Sequence, residues 1–131
     1  MATKLDMIGM VVEDMGRSLA FYRELGFEYP DDAEAKGHVE ASLPGGLRVA
    51  WDTRAEIQSF DPGWTAATGG SGRIALAFLV DSPPDVDATY ERLTSLGYEG
   101  VRPPWDAFWG QRYASIADPD GNGIDIFCPL E

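Results

Sequence analysis

Cysteine is nearly absent from this chain. The single Cys128 excludes an intrachain disulfide, fits a reducing compartment and reads as a small buried apolar residue. Histidine is equally scarce, with His38 alone, so no imidazole cluster is available to hold a metal. Positive charge is short as well: 10 basic residues stand against 22 acidic ones, a formal net charge of −12. That balance argues against nucleic acid or an anionic membrane as partner, because both require a positive surface. It is compatible with a cationic ligand and equally with plain solubility. No apolar run approaches the ~18 residues of a membrane span. The opening Met1-Ala-Thr-Lys4 has no apolar core of a signal peptide, so a cytoplasmic protein is expected. Nothing resembles a nucleophile–base pair, a phosphate loop or a zinc–cysteine cluster.

What is present repeats itself. The 131 residues make one domain's length, and a hydrophobic fraction of 44% suffices for a core. Leu5 to Val12 reads as a buried strand, Asp14 as a helix cap, and Leu19, Phe21, Tyr22 and Leu25 as one apolar helix side ended by Gly26. His38–Leu43, the turn Pro44-Gly45-Gly46 and Leu47–Asp52 form a hairpin pattern. Residues 74–80 then read as a strand, and a helix is expected from about Asp85 to Leu96, with Val86, Tyr90, Leu93 and Leu96 inward and Gly97 at its end. Val12 matches Val80, and Leu25 matches Leu96. Duplication follows: module one at about 4–53, a linker at 54–72 holding Trp64 as a packing anchor, and module two at about 73–128. The charged stretch Asp31–Lys36 is expected to be an exposed loop.

The last quarter adds chemistry. Trp105 to Trp109 reads as an aromatic loop beside Pro103-Pro104, and Asp118-Pro-Asp-Gly-Asn-Gly123 as a turn between two strands. Beyond the turn, Asp125 shares a strand face with Phe127. Such an acid would bind an amine or guanidinium by a charge-assisted hydrogen bond, or be a structural acid paired with Arg112 or Arg48. Arg112 reads as a brace for the hairpin, or less readily as a contact to an anionic ligand. Trp51, Trp64, Trp105, Trp109, Phe108 and Tyr113 exceed what the core needs, and loop aromatics can stack on a planar or cationic ligand. For Trp109 and Phe108 a plug in the core or in a dimer interface is the competing reading.

The repeat, the strand–Asp–helix opening from Met7 to Tyr22, the Trp109-Gly110 pair and Asp118–Asn122 together resemble the vicinal oxygen chelate superfamily: glyoxalases, bleomycin-resistance proteins and extradiol dioxygenases. The resemblance spans about Leu5 to Phe127. It implies an α+β fold of two tandem βαβββ modules with curled mixed sheets around a ligand cleft, and a homodimer. It also implies a divalent metal in the enzymes, with ligand positions falling here on Met7, Ala75 and Asp125, and on about Val49 as the module-one counterpart of Asp125. A thioether and a methyl group cannot replace imidazoles, so no metal and no other cofactor is expected.

The expectation is therefore a metal-independent protein of the bleomycin-resistance type, which binds a small molecule and sequesters a bulky aromatic, cationic antibiotic. Trp51, Trp105, Phe108, Trp109, Asp125, Val49 and Met7 are its candidate contacts, Trp51 being placed with Val49 on the face that lines the cleft. The alternative is a lyase, isomerase or dioxygenase of the same superfamily, including a metal-free enzyme with Asp125 as general base.

Overall fold

A computed structural model describes residues 2–67 and 72–131; Met1 and residues 68–71 of the expected linker lie outside the described residues. The chain divides into two compact units, Met1–Ala66 and Ala67–Glu131. Both are mixed α+β, with sheets of three and four strands, neither of them closed, consistent with tandem βαβββ modules.

In unit 1, β1 (Met7–Val12) leads into α1 (Met15–Arg23), followed by a 3-10 turn at Ala33–Ala35, then β2 (His38–Ser42) and β3 (Arg48–Thr53). The Asp14 carboxylate caps α1 by accepting the Arg17 N–H at 2.9 Å, supplying a partner that the first helical turn lacks. Gly26 ends the helical region at φ 100°, a conformation open to glycine. The sheet order is β1-β3-β2, with β1 parallel and β2 antiparallel to β3. Residues 27–30, where module two has an additional strand, run without a ladder. The stretch Asp31–Lys36 departs from the expected loop: it holds the 3-10 turn, and Ala33 is buried. Beyond β3 the short helix α2 (Arg54–Gln58) precedes Trp64, whose ring the Arg54 guanidinium overlies at 5.7 Å.

Unit 2 runs β4 (Ala75–Leu79), α3 (Pro83–Ser95), β5 (Glu99–Ala107), β6 (Gln111–Ala117) and β7 (Gly123–Pro129), in sheet order β4-β7-β6-β5. Pro83 and Pro84 lie inside the first turn of α3 rather than ahead of it. Proline is tolerated there because the N–H it lacks would have no helical partner. The Asp118 carboxylate organises the β6–β7 turn, accepting the backbone N–H groups of Asp120 and Asn122 and the Asn122 side-chain amide.

The segment around Pro103-Pro104 and Trp105, read above as a loop, is part of strand β5. Three features permit this. The strand is at the sheet edge, where missing N–H donors cost little. The register shifts between Gly100 and Arg102 and again between Arg102 and Trp105, so the prolines fall where pairing is already broken. Ladder pairing resumes at Trp105 opposite Tyr113.

Helix α3 covers one face of this sheet through Val86 and Leu93, above the fully buried Ile116, Ile124 and Ile126. The approach is close at Gly100, where a Cβ would overlap the Tyr90 hydroxyl, lie 2.8 Å from Tyr90 Cζ and 3.2 Å from Thr94 Cγ2. Gly100→Ala is accordingly expected to destabilise the protein by about 1–3 kcal/mol through overpacking, read from the urea midpoint. An unchanged midpoint would place α3 farther from β5. Arg112, reaching from β6, donates to Asp87 of α3 at 2.9 and 3.0 Å and to Asp106 of β5 at 3.1 Å. It therefore braces helix and hairpin and does not partner Asp125.

Candidate functional site

Strand alternation and the ladder registers assign every strand residue to a face. In unit 2 the face turned away from α3 carries Ala75, Ala77 and Leu79 of β4, Asp125 and Phe127 of β7, Gln111, Tyr113 and Ser115 of β6, and Trp105 of β5. The three-residue turn after β5 adds Phe108 and Trp109, and Gly110 closes it at φ 94°.

These side chains form a continuous aromatic run. Phe108 meets Trp109 with ring centroids 5.0 Å apart, Trp109 meets Trp105 at 5.5 Å and Tyr113 at 5.3 Å, and Tyr113 meets Phe127 at 6.1 Å. All but the last pair are edge-to-face, the geometry aromatic quadrupoles favour. The Trp109 indole N–H donates to the Gln111 amide oxygen at 2.8 Å, which fixes its tilt. Phe108, at the tip, is 90% exposed and free to contact a further molecule.

Asp125 lies at the inner end of this run. The Tyr113 hydroxyl donates to one carboxylate oxygen and the Ser115 hydroxyl to the other, each at 2.8 Å. Ser115 is directly opposite Asp125 in the ladder, and Tyr113 reaches it diagonally from opposite Phe127. Burial pushes the Tyr113 phenol up to about 12, and the bond to Asp125 adds to the shift. Tyr113 is thus a neutral donor at physiological pH. Its raised pKa contributes stability that is fully present below the ordinary value near 10 and is lost as pH rises from there toward 12.

Of the residues selected from sequence, Trp105, Phe108, Trp109 and Asp125 come together on unit 2. The sequence marks Tyr113 only as a surplus aromatic and does not single out Ser115. The signal for both was the period-two alternation of β6, which places residues 113 and 115 on the face of residue 125 once the strands pair.

The unit 1 candidates are placed differently. Trp51 is fully buried, packed edge-to-face against Tyr22 of α1, Phe27 and Tyr29 at 5.1–5.4 Å. Val49 shares that helix-covered face, so neither residue lies on the face expected to line a cleft. Two residues of equal parity follow whichever face the helix covers, and parity alone does not say which that is. Met7 is on the opposite face beside Arg48. Asp125 is laddered to Ala77, and the matching residue Gly9 of β1 is laddered to Ala50. The module-one counterpart of Asp125 is therefore Ala50, one residue beyond Val49.

The helix-free face of unit 1 is ionic. His38 Nδ1 meets Asp52 at 2.5 Å and Nε2 meets Glu40 at 2.7 Å, while Arg48 bridges Glu40 at 2.7 Å and Asp6 at 2.6 Å. Bonds to Glu40 first and Asp52 second raise the His38 pKa above 6.5. The stabilisation is fully present below that value and is lost as pH rises through the raised one. Since His38 is the chain's one histidine, a single imidazole resonance titrating above pH 6.5, and moving down in Glu40→Gln, is the expected NMR result. A midpoint at or below 6.5 would contradict the bracketed geometry.

The two carboxylates flank opposite edges of the His38 ring and do not converge on one point. Among the described residues no group of three or more His, Cys, Asp or Glu side chains is placed to hold a metal. The positions to which the resemblance assigns metal ligands carry a thioether at Met7 in unit 1, and a methyl at Ala75 and the hydroxyl-bound carboxylate of Asp125 in unit 2; neither the thioether nor the methyl is a donor for a catalytic divalent ion.

Two open mixed sheets in successive units, each with one helix-covered face and one face left to side-chain chemistry, define a tandem-module α+β protein of the vicinal oxygen chelate class. The chain belongs to the Glyoxalase/Bleomycin resistance protein/Dioxygenase superfamily, whose family model matches residues 4–126. Similar solved structures include a glyoxalase/bleomycin resistance protein/dioxygenase from Nocardioides (27% identity, TM-score 0.74, covering 100% of this chain and 86% of that one). A glyoxalase-related enzyme from Fulvimarina pelagi is 26% identical, with TM-score 0.79 and coverage of 97% and 88%. A family enzyme from Burkholderia phytofirmans, at 18% identity and TM-score 0.77 with coverage of 98% and 100%, shares the fold. No curated protein matches the chain. Among the described residues no helix is long and apolar enough to cross a membrane.

Proposed function

We propose that this chain is a metal-independent binding protein that holds a bulky, planar small molecule carrying a cationic nitrogen on the helix-free face of unit 2, and so sequesters it in the manner of a drug-resistance protein. One observation carries the reading: Asp125, with both oxygens held by hydroxyl donors, closes the inner end of the run Phe108–Trp109–Trp105–Tyr113–Phe127. Aromatic faces attract planar and cationic groups by about 0.5–2 kcal/mol each. A carboxylate fixed in place adds a directed charge-assisted hydrogen bond. The donor set at Met7, Ala75 and Asp125 supports a metal-independent mode, and the net charge of −12 favours cations at long range. A homodimer is part of the proposal, and sedimentation equilibrium decides it by mass.

The test is calorimetric titration of the chelator-treated protein with planar aromatic amines and with aromatic glycopeptide, quinone and chromodepsipeptide antibiotics. Binding at one site per chain, with quenching of tryptophan fluorescence, is expected. Absence of binding across the panel, or turnover that depends on a stoichiometric divalent ion, would reject the proposal.

A further inference from the structure

The same face of unit 2 carries a group that a receptor for simple cations does not need. Arg102 lays its guanidinium over the Trp105 ring, 3.9 Å from the centroid and closer than the two other cation–π pairs described, at 5.2 and 5.7 Å. The strand itself builds this contact. Residues three apart on a regular strand point to opposite faces. Here Arg102 pairs with Ser115 and Trp105 with Tyr113, so three steps on β5 match two on β6. The Pro103-Pro104 irregularity brings Arg102 and Trp105 to the same face. Among the described residues, Arg102 has no carboxylate partner, although acidic residues outnumber basic ones 22 to 10. Arg48, Arg54 and Arg112 are all ion-paired.

A guanidinium stacked on an indole keeps its N–H donors in its own plane, pointing past the ring, in the fork that matches a carboxylate or phosphate. Stacking also lowers the entropy cost of holding the fork in place. The diffuse negative charge of the protein opposes an anion, but that field is screened over about 8–10 Å in physiological salt, whereas the fork acts at contact. Arg102, Ser115 and Asp125 follow one another across three adjacent strands, so the Arg102 and Asp125 backbones are about 10 Å apart at ordinary strand spacing. The two opposite charges thus stand in one row, beside the neighbouring row of Trp105, Tyr113 and Phe127.

We infer that Arg102 is an anion-recognising residue, and that the ligand is an aromatic zwitterion whose cationic end meets Asp125 and whose carboxylate or other oxyanion meets Arg102. The inference rests on the binding face proposed above and specifies its ligand class.

Three naphthalene probes test it by calorimetry: 6-(aminomethyl)-2-naphthoate with both charges, 2-naphthylmethylamine with the cation alone, and 2-naphthoate with the anion alone. The zwitterion is expected to bind the unaltered protein about tenfold or more tighter than the amine, the size of one charged hydrogen-bonded pair. Arg102→Gln should erase that advantage, abolish naphthoate binding and not weaken amine binding, since it uncovers the Trp105 ring and removes a like charge, while Arg102→Lys keeps part of the advantage. Circular dichroism checks that each variant is folded. If Arg102→Gln weakened amine and zwitterion equally, Arg102 would be a prop for Trp105 and the inference would be overturned, as it would be if the zwitterion bound no tighter than the amine. Failure of the amine to bind the unaltered protein counts against the Asp125 reading alone. In that case naphthoate binding lost in Arg102→Gln would still support the role of Arg102, and naphthoate binding retained there would overturn it.

Discussion

Trp51→Ala is expected to cost about 3–5 kcal/mol of stability, the range for removing a large buried aromatic side chain. Trp51 has 0% exposure and is enclosed by Tyr22, Phe27 and Tyr29. No nearby side chain can swing in to fill the void, since Leu19, Phe21 and Tyr22 are themselves fully buried in α1. Against a typical domain stability of 5–15 kcal/mol, unit 1 would be left near its melting point or unfolded. The loss should be visible as a lowered urea midpoint. Trp51→Phe should cost much less, because the buried Trp51 indole N–H has no hydrogen-bond partner to lose. A Trp51→Ala protein that stays stable but loses ligand would return Trp51 to the binding face.

The second large effect is on binding. Asp125→Asn should weaken binding of a planar amine by roughly 1.5–3 kcal/mol, the difference a charged hydrogen-bond acceptor makes, or about tenfold to a hundredfold in Kd. Stability should change little. Tyr113 and Ser115 are hydroxyls that accept as well as donate, so each can turn to meet the new amide. A neutral planar probe of the same shape should bind both forms alike. Equal loss for charged and neutral probes would make Asp125 a structural acid of the β6–β7 ladder.

Much of this architecture could be read from the chain. Asp14, Gly26, Gly97 and the Asp118–Gly123 turn mark element ends by local chemistry, and local chemistry survives without tertiary knowledge. The superfamily was legible in the order of the same motifs. Three things were not. Strand β5 passes through Pro103-Pro104, and only its edge position and shifted register make that admissible. Trp51 and Val49 were correctly put on one face, but the helix that covers that face is set by packing of Tyr22 onto Trp51, a contact between residues 29 apart in sequence. The partners of Asp125 are Tyr113 and Ser115 and not the nearby arginine, because Arg112 alternates to the other side of β6 and is held by Asp87.

The most direct measurement is a calorimetric titration of 2-naphthylmethylamine into the protein after exhaustive chelation of divalent ions, repeated with Asp125→Asn. One-site binding to the metal-stripped protein is expected, unaltered when Mg²⁺, Mn²⁺, Zn²⁺ or Fe²⁺ is restored and weakened about tenfold to a hundredfold by Asp125→Asn. Binding that appears only on restoring a divalent ion, or that ignores the change at Asp125, would contradict that expectation.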